Sequence, residues 1–119
     1  MRKDFEKYFT QVQLQYNEML KTLDKVNEEI AKGLVSDEQR ANFENYFSII
    51  KANYDRLSYA RYLLRLPPKF IQKIQSKKLR AELDKFIQEN ADETAVLEEN
   101  KEALDNINNE VSEEECKNS

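Results

Sequence analysis

An all-α fold built on a long antiparallel helical hairpin is what this chain of 119 residues predicts. Three observations predict it. Glycine occurs once and proline twice. Apolar residues alternate in steps of four and three from Phe5 to Ile30. One helix-stopping and helix-starting sequence, Gly33 to Gln39, then interrupts the pattern. Tight β-turns and phosphate-cradling loops need residues that adopt positive φ, which glycine does at least cost. The near-absence of glycine therefore excludes many-turned β architectures and glycine-looped nucleotide sites.

The first helix, over 3–32, rests on Phe5, Phe9, Val12, Tyr16, Met19, Leu23, Val26 and Ile30. These are heptad positions, with Phe9, Tyr16, Leu23 and Ile30 at a, and Phe5, Val12, Met19 and Val26 at d. In a chain that is 39% hydrophobic, eight hits in a fixed register have a chance of about 0.0005, or about 0.004 over seven registers. Tyr8 and Leu20 flank the stripe and widen it, as in a helix with more than one neighbour.

Gly33 suits the left-handed position that closes a helix. Ser36 and Gln39 form S-x-x-Q, a capping box, and Asp37 and Glu38 put carboxylates in the first turn, where they complement the macrodipole. A second helix over 37–66 follows, with Phe43, Phe47, Ile50, Tyr54, Leu57 and Leu64 in the same alternation and Arg61 at its one interrupted step. So short a connection makes the two helices antiparallel neighbours. Each spans about 45 Å at 1.5 Å per residue. The predicted core is Phe9, Val12, Tyr16, Met19, Leu23, Val26, Phe43, Phe47, Ile50, Tyr54, Leu57 and Leu64.

Pro67-Pro68 ends the second helix and suits the first turn of a third, over 68–89, marked by Phe70, Ile71, Ile74, Leu79, Leu83, Phe86 and Ile87. Asn90 with Glu93 reads as a further cap. Beyond it, Leu97, Leu104, Ile107 and Val111 allow a fourth helix over 91–112, thinly apolar and heavily acidic. Residues 1–90 are thus expected to form one helical-bundle domain with coiled-coil-like packing. Residues 91–119 are expected to form an acidic C-terminal segment, weakly helical or disordered, with 112–119 as a disordered end.

Charge is distributed in three zones: net −2 over 1–55, +8 over 56–80 with no acidic residue, and −10 over 81–119, within a whole-chain net charge of −4. The central block is a candidate partner surface. Arg56, Tyr59, Arg61, Tyr62, Arg65, Lys69, Lys73, Lys77, Lys78 and Arg80 are its candidate binding residues. Lys69, Lys73, Lys77 and Arg80 are spaced to share one helical face, and Tyr54, Tyr59 and Tyr62 interleave with the arginines. Cations neutralise phosphates and aromatic rings stack on bases, so this corner fits a nucleic acid or an acidic protein. A plainer account of the same residues is that basic side chains snorkel over apolar surface, tyrosines bury a ring and wet a hydroxyl, and the acidic segment folds back to neutralise the block.

Catalytic chemistry is poorly supported. There is no histidine, which removes the commonest general base and metal ligand, and a single cysteine, Cys116, which follows three glutamates whose negative field is expected to blunt its reactivity. One cysteine forms no internal disulfide. Acidic pairs such as Glu98 with Glu102 lack the histidines of helical di-metal sites. No catalytic residue, cofactor or metal site is expected. No apolar run approaches the roughly 18 residues needed to span a bilayer, and no signal peptide is read at the start, so no membrane partner is expected. The lean towards Lys, Asn, Glu, Ile and Tyr is that of an AT-rich coding sequence, as in a low-GC bacterium, its phage or its plasmid. The location expected is cytoplasmic, in a bacterium or phage-infected cell.

The expected function is that of a non-enzymatic α-helical interaction protein, an adaptor, assembly factor or inhibitor, presenting its basic corner to a partner protein. The competing expectation is a nucleic-acid-binding accessory protein using Arg56–Arg80. Self-association as a homodimer fits the remaining apolar faces.

Overall fold

The computed structural model describes residues 2–65, 77–90 and 92–117; the side chains of 2, 3, 80 and 113–117 are not described. The described residues form four helices and no strand: α1 (Arg2–Ala31), α2 (Asp37–Leu64), α3 (Lys77–Glu89) and α4 (Glu93–Lys117). The all-α hairpin is therefore present with the expected first two helices. Residues 66–76, which hold Pro67-Pro68 and the start of the expected third helix, lie outside the described residues.

The reversal between α1 and α2 follows from its hydrogen bonds. Gly33, at φ 72°, donates to the Ile30 carbonyl at 3.0 Å, and Leu34 donates to Glu29 at 3.1 Å. That is the Schellman closure, and its positive φ is what calls for glycine here. No atom lies within 4 Å of where a Cβ would stand, so space plays no part. Ser36 Oγ then accepts from the Gln39 amide at 3.1 Å while Gln39 Oε1 accepts from the Ser36 amide at 3.0 Å, the reciprocal capping box.

The acidic segment departs most from expectation. It is a helix of 25 residues that packs along both members of the hairpin, and it continues through the stretch expected to be disordered as far as Lys117. Ala103, Leu104, Ile107 and Val111 are buried. Its direction is fixed by its contacts. The Tyr8 hydroxyl donates to the Asp92 carbonyl, and Gln15 Nε2 donates to that of Leu97, so α4 runs parallel to α1. Asn53 meets Asn100 and Tyr46 meets Glu110, so it runs antiparallel to α2. The cap also differs from the expected Asn90. Asp92 Oδ1 accepts from the Ala95 amide at 3.3 Å, whereas Asn90 Nδ2 donates to the Phe86 carbonyl at 2.7 Å and closes α3. An acceptor serves a helix start and a donor serves a helix end.

The core divides in two. Towards the Gly33 turn, Met19, Val26, Phe43 and Ile50 pack with Ala103, Leu104, Ile107 and Val111. Towards the other end, Phe5, Tyr8, Phe9, Val12, Leu57 and Ala60 pack with Phe86, Ile87, Val96 and Leu97. Between them lies a polar layer with one member from each of α1, α2 and α4. Asn53 Nδ2 donates to Asn100 Oδ1 at 2.8 Å, and Asn100 Nδ2 donates to Gln15 Oε1 at 3.0 Å. Of the expected core, Phe9, Val12, Met19, Val26, Phe43, Ile50 and Leu57 are buried, while Tyr16, Leu23, Phe47, Tyr54 and Leu64 are half-buried. The half-buried row of α1 is the a row, which α4 does not cover.

Burial, reinforced by the nearby Asp92 and Glu93 charges, raises the Tyr8 phenol far above its ordinary value of 10.0. Burial and the Glu110 carboxylate raise that of Tyr46 as well. A proton held more tightly in the folded state stabilises it fully below pH 10, and this contribution is lost as pH rises further and the unfolded phenols ionise first. Stability measured by urea unfolding should fall as pH rises above about 10, and Tyr8→Phe should flatten that fall. An unchanged slope in Tyr8→Phe would show that the phenol is ordinary.

Candidate functional site

The candidate binding residues fall into three groups. Arg61 and Arg65 are tied down. Arg61 Nε lies 3.2 Å from Glu6 Oε2 and 3.3 Å from Glu6 Oε1, and its guanidinium sits 4.8 Å above the Phe9 ring. Arg65 reaches Glu6 Oε1 at 3.2 Å. The interrupted step of the α2 stripe is thus filled: the arginine covers Phe9 with its planar head and clamps the start of α1 to the end of α2. The counter-charge for these two arginines is Glu6 of α1, not the acidic segment expected to fold back over the block.

Arg56, Tyr59, Tyr62, Lys77 and Lys78 make up the second group, and all are exposed. Tyr59 and Tyr62 lie one turn apart on α2, with rings 6.4 Å apart and 24° from parallel, and are 54% and 62% exposed. Tyr59 also meets the Phe86 ring edge-on at 5.6 Å, which joins the face to α3. Tyr54, expected to interleave here, instead stacks on Tyr16 and Phe9 in the α1–α2 seam. Arg80 lies on α3, its side chain not described. Lys69 and Lys73 form the third group, outside the described residues, so the shared face of Lys69, Lys73, Lys77 and Arg80 is not drawn.

Two participants were missed by reading the basic block alone. Glu6 lies 55 residues from Arg61 and 59 from Arg65 in sequence and is recognisable only once the hairpin register pairs α1's start with α2's end. Leu79 was read as part of the α3 stripe, yet it is 54% exposed while Leu83, Phe86 and Ile87 are half-buried. The face is therefore aromatic and aliphatic as well as basic.

Elsewhere, a shallow concavity on α1 is lined by Leu14, Gln15, Asn17, Glu18 and Lys21, all on one helix. Among the described residues no group of three His, Cys, Asp or Glu side chains is placed to hold a metal ion, and no helix is long and apolar enough to cross a membrane. No family model, curated protein or solved structure matches the chain.

Glu6→Ala should cost less than about 1 kcal/mol of stability, since the pairs it makes are partly exposed. It should nevertheless release two guanidiniums. The variant is expected to elute from heparin at higher salt than the wild type; equal elution would mean that Glu6 does not restrain the arginines.

Proposed function

We propose that the protein is a non-enzymatic helical interaction protein, an adaptor, assembly factor or inhibitor acting in the cytoplasm, and that it engages a partner protein through the Tyr59–Tyr62 face. The observation that carries this reading is the pair of tyrosines more than half exposed on a helix held rigid by two neighbours. Tyrosine supplies large contact area at small entropic cost and is enriched among the residues that dominate binding energy. Arg56, Lys77 and Lys78 add positive charge that steers an acidic partner towards it. A nucleic acid is the less favoured ligand, because Glu6 already engages two of the arginines that would neutralise phosphates.

Immobilised full-length protein, offered lysate of the encoding cell with and without nuclease, tests this. The expected result is retention of an identified protein that survives nuclease and is lost with Tyr59→Ala/Tyr62→Ala but kept with Leu14→Ala. Retention that nuclease abolishes would favour the nucleic-acid reading. Retention indifferent to the tyrosines would remove the face from consideration.

A further inference from the structure

We infer that two copies of this chain pair antiparallel through the side of their α1–α2 hairpins that α4 leaves uncovered among the described residues. α4 covers only one side, meeting Tyr8 and Gln15 of α1 and Tyr46 and Asn53 of α2. The opposite side carries Phe9, Tyr16, Leu23 and Ile30 of α1 and Phe47, Tyr54 and Arg61 of α2. Of these seven, Phe9 alone is buried and the others are half-buried. Tyr16 and Tyr54 stack 4.1 Å apart at an interplanar angle of 6°, and Phe9 stacks on Tyr54 at 5.8 Å. Leu20, one turn beyond Tyr16 on this same side, is 41% exposed. The hairpin thus presents a continuous aromatic and aliphatic floor, which is half of a four-helix arrangement.

The charge pattern selects a second copy as the occupant. The turn end of the hairpin, residues 24–44, holds six acidic and three basic residues, net −3. The other end, residues 2–10 and 55–65, holds six basic and three acidic residues, net +3. These ends are about 30 Å apart at 1.5 Å per residue. That is several Debye lengths, so the two ends of the hairpin do not neutralise each other within one copy, and the Asp92 and Glu93 charges of α4 lie by Tyr8, on the side away from the proposed contact. An antiparallel two-fold pairing sets each positive end against a negative end, twice over. A parallel pairing would oppose like charges. The antiparallel arrangement is self-complementary and closes at two copies. Any other partner would need the same bipolar pattern beside a matching apolar strip, which a second copy supplies by symmetry.

Sedimentation of the full chain between about 1 and about 100 µM, a range that brackets an ordinary micromolar dimer, tests the pairing. The expected result is a mass rising from 14.2 kDa towards twice that value. Leu20→Glu should weaken the dimer about tenfold or more, a loss of at least about 1.4 kcal/mol, with unchanged helical circular dichroism, and with an unchanged melting temperature at concentrations where both proteins are monomeric. Leu14→Glu, on the outer face of α1, should leave it intact. Added salt and the pair Asp24→Lys/Glu44→Lys should each weaken it. A monomer throughout overturns the inference. A dimer insensitive to Leu20→Glu, equally sensitive to Leu14→Glu, or tightened by salt overturns it as well.

Discussion

Ile107→Ala should lower the melting temperature by about 10 °C or more, a loss of roughly 2–5 kcal/mol. Ile107 is fully buried in the core cluster nearest the Gly33 turn, facing Val26, Phe43 and Ile50 in the company of Leu104 and Val111. Removing three carbons there forfeits transfer energy and leaves a cavity that three long helices cannot collapse around. The comparison is Leu14→Ala, exposed on α1, which should stay within about 0.5 kcal/mol of the wild type. The contrast matters because Ile107 lies in the most acidic part of the chain. If α4 were a loosely held tail, its truncated isoleucine would be as silent as Leu14. Thermal melts of the two variants side by side decide between an integral and a dispensable fourth helix.

The hairpin was legible because its signals are local and redundant. The a and d rows of α1, the Gly33 closure and the Ser36–Gln39 box each point to the same reversal, and each needs only residues near one another in sequence. α4 was underread for a definable reason. Its seam runs Leu97, Asn100, Leu104, Ile107 and Val111, an unbroken alternation of three and four, but a count of apolar residues skips Asn100 and sees a gap. α2 carries a second row in the same way: Tyr46, Ile50, Asn53, Leu57 and Ala60, of which Tyr46 and Asn53 bond to α4; Tyr46 and Ala60 widen the α2 stripe in the sequence, but Asn53 does not score as core. The two asparagines were invisible because their burial depends on a partner that only the tertiary structure brings.

The candidate face was legible in part. The basic block marks where charge accumulates, but charge alone does not say which cations are free. Arg61 belongs to the α1–α2 seam by heptad position, and a glutamate at position 6 can meet it only across the antiparallel register. Tyr54 occupies a seam position too and so is drawn inwards, while Tyr59 and Tyr62 occupy none and stay out. Assigning each aromatic to seam or surface by heptad position separates the two groups correctly. The interleaving of tyrosine with arginine does not.

Asn100→Ala should cost about 2–4 kcal/mol, because it strands the buried Asn53 amide and the Gln15 carbonyl oxygen, each orphan costing about 1–3 kcal/mol with partial rescue. The nearest remaining partner of Asn53 Nδ2 is Glu99 Oε2 at 3.5 Å, too long to replace the lost bond. The double variant Asn53→Leu/Asn100→Leu should behave oppositely, recovering most of the loss, since both ends of the buried asparagine pair become apolar together while the half-buried Gln15 turns its amide to solvent. What it should lose is uniqueness. With both asparagines gone, the two core clusters merge into one apolar seam, and α4 can slide one heptad against α1 and α2 without stranding a fully buried polar group. Urea unfolding reads the first effect. Doubled or broadened amide resonances and dye binding to exposed apolar surface read the second. A double-leucine protein that is less stable than Asn100→Ala would show that the asparagines contribute through packing volume and not through their hydrogen bonds. A double-leucine protein that is more stable yet keeps a single sharp set of resonances would show that capping and hairpin geometry alone fix the register, and that the polar layer is redundant for it.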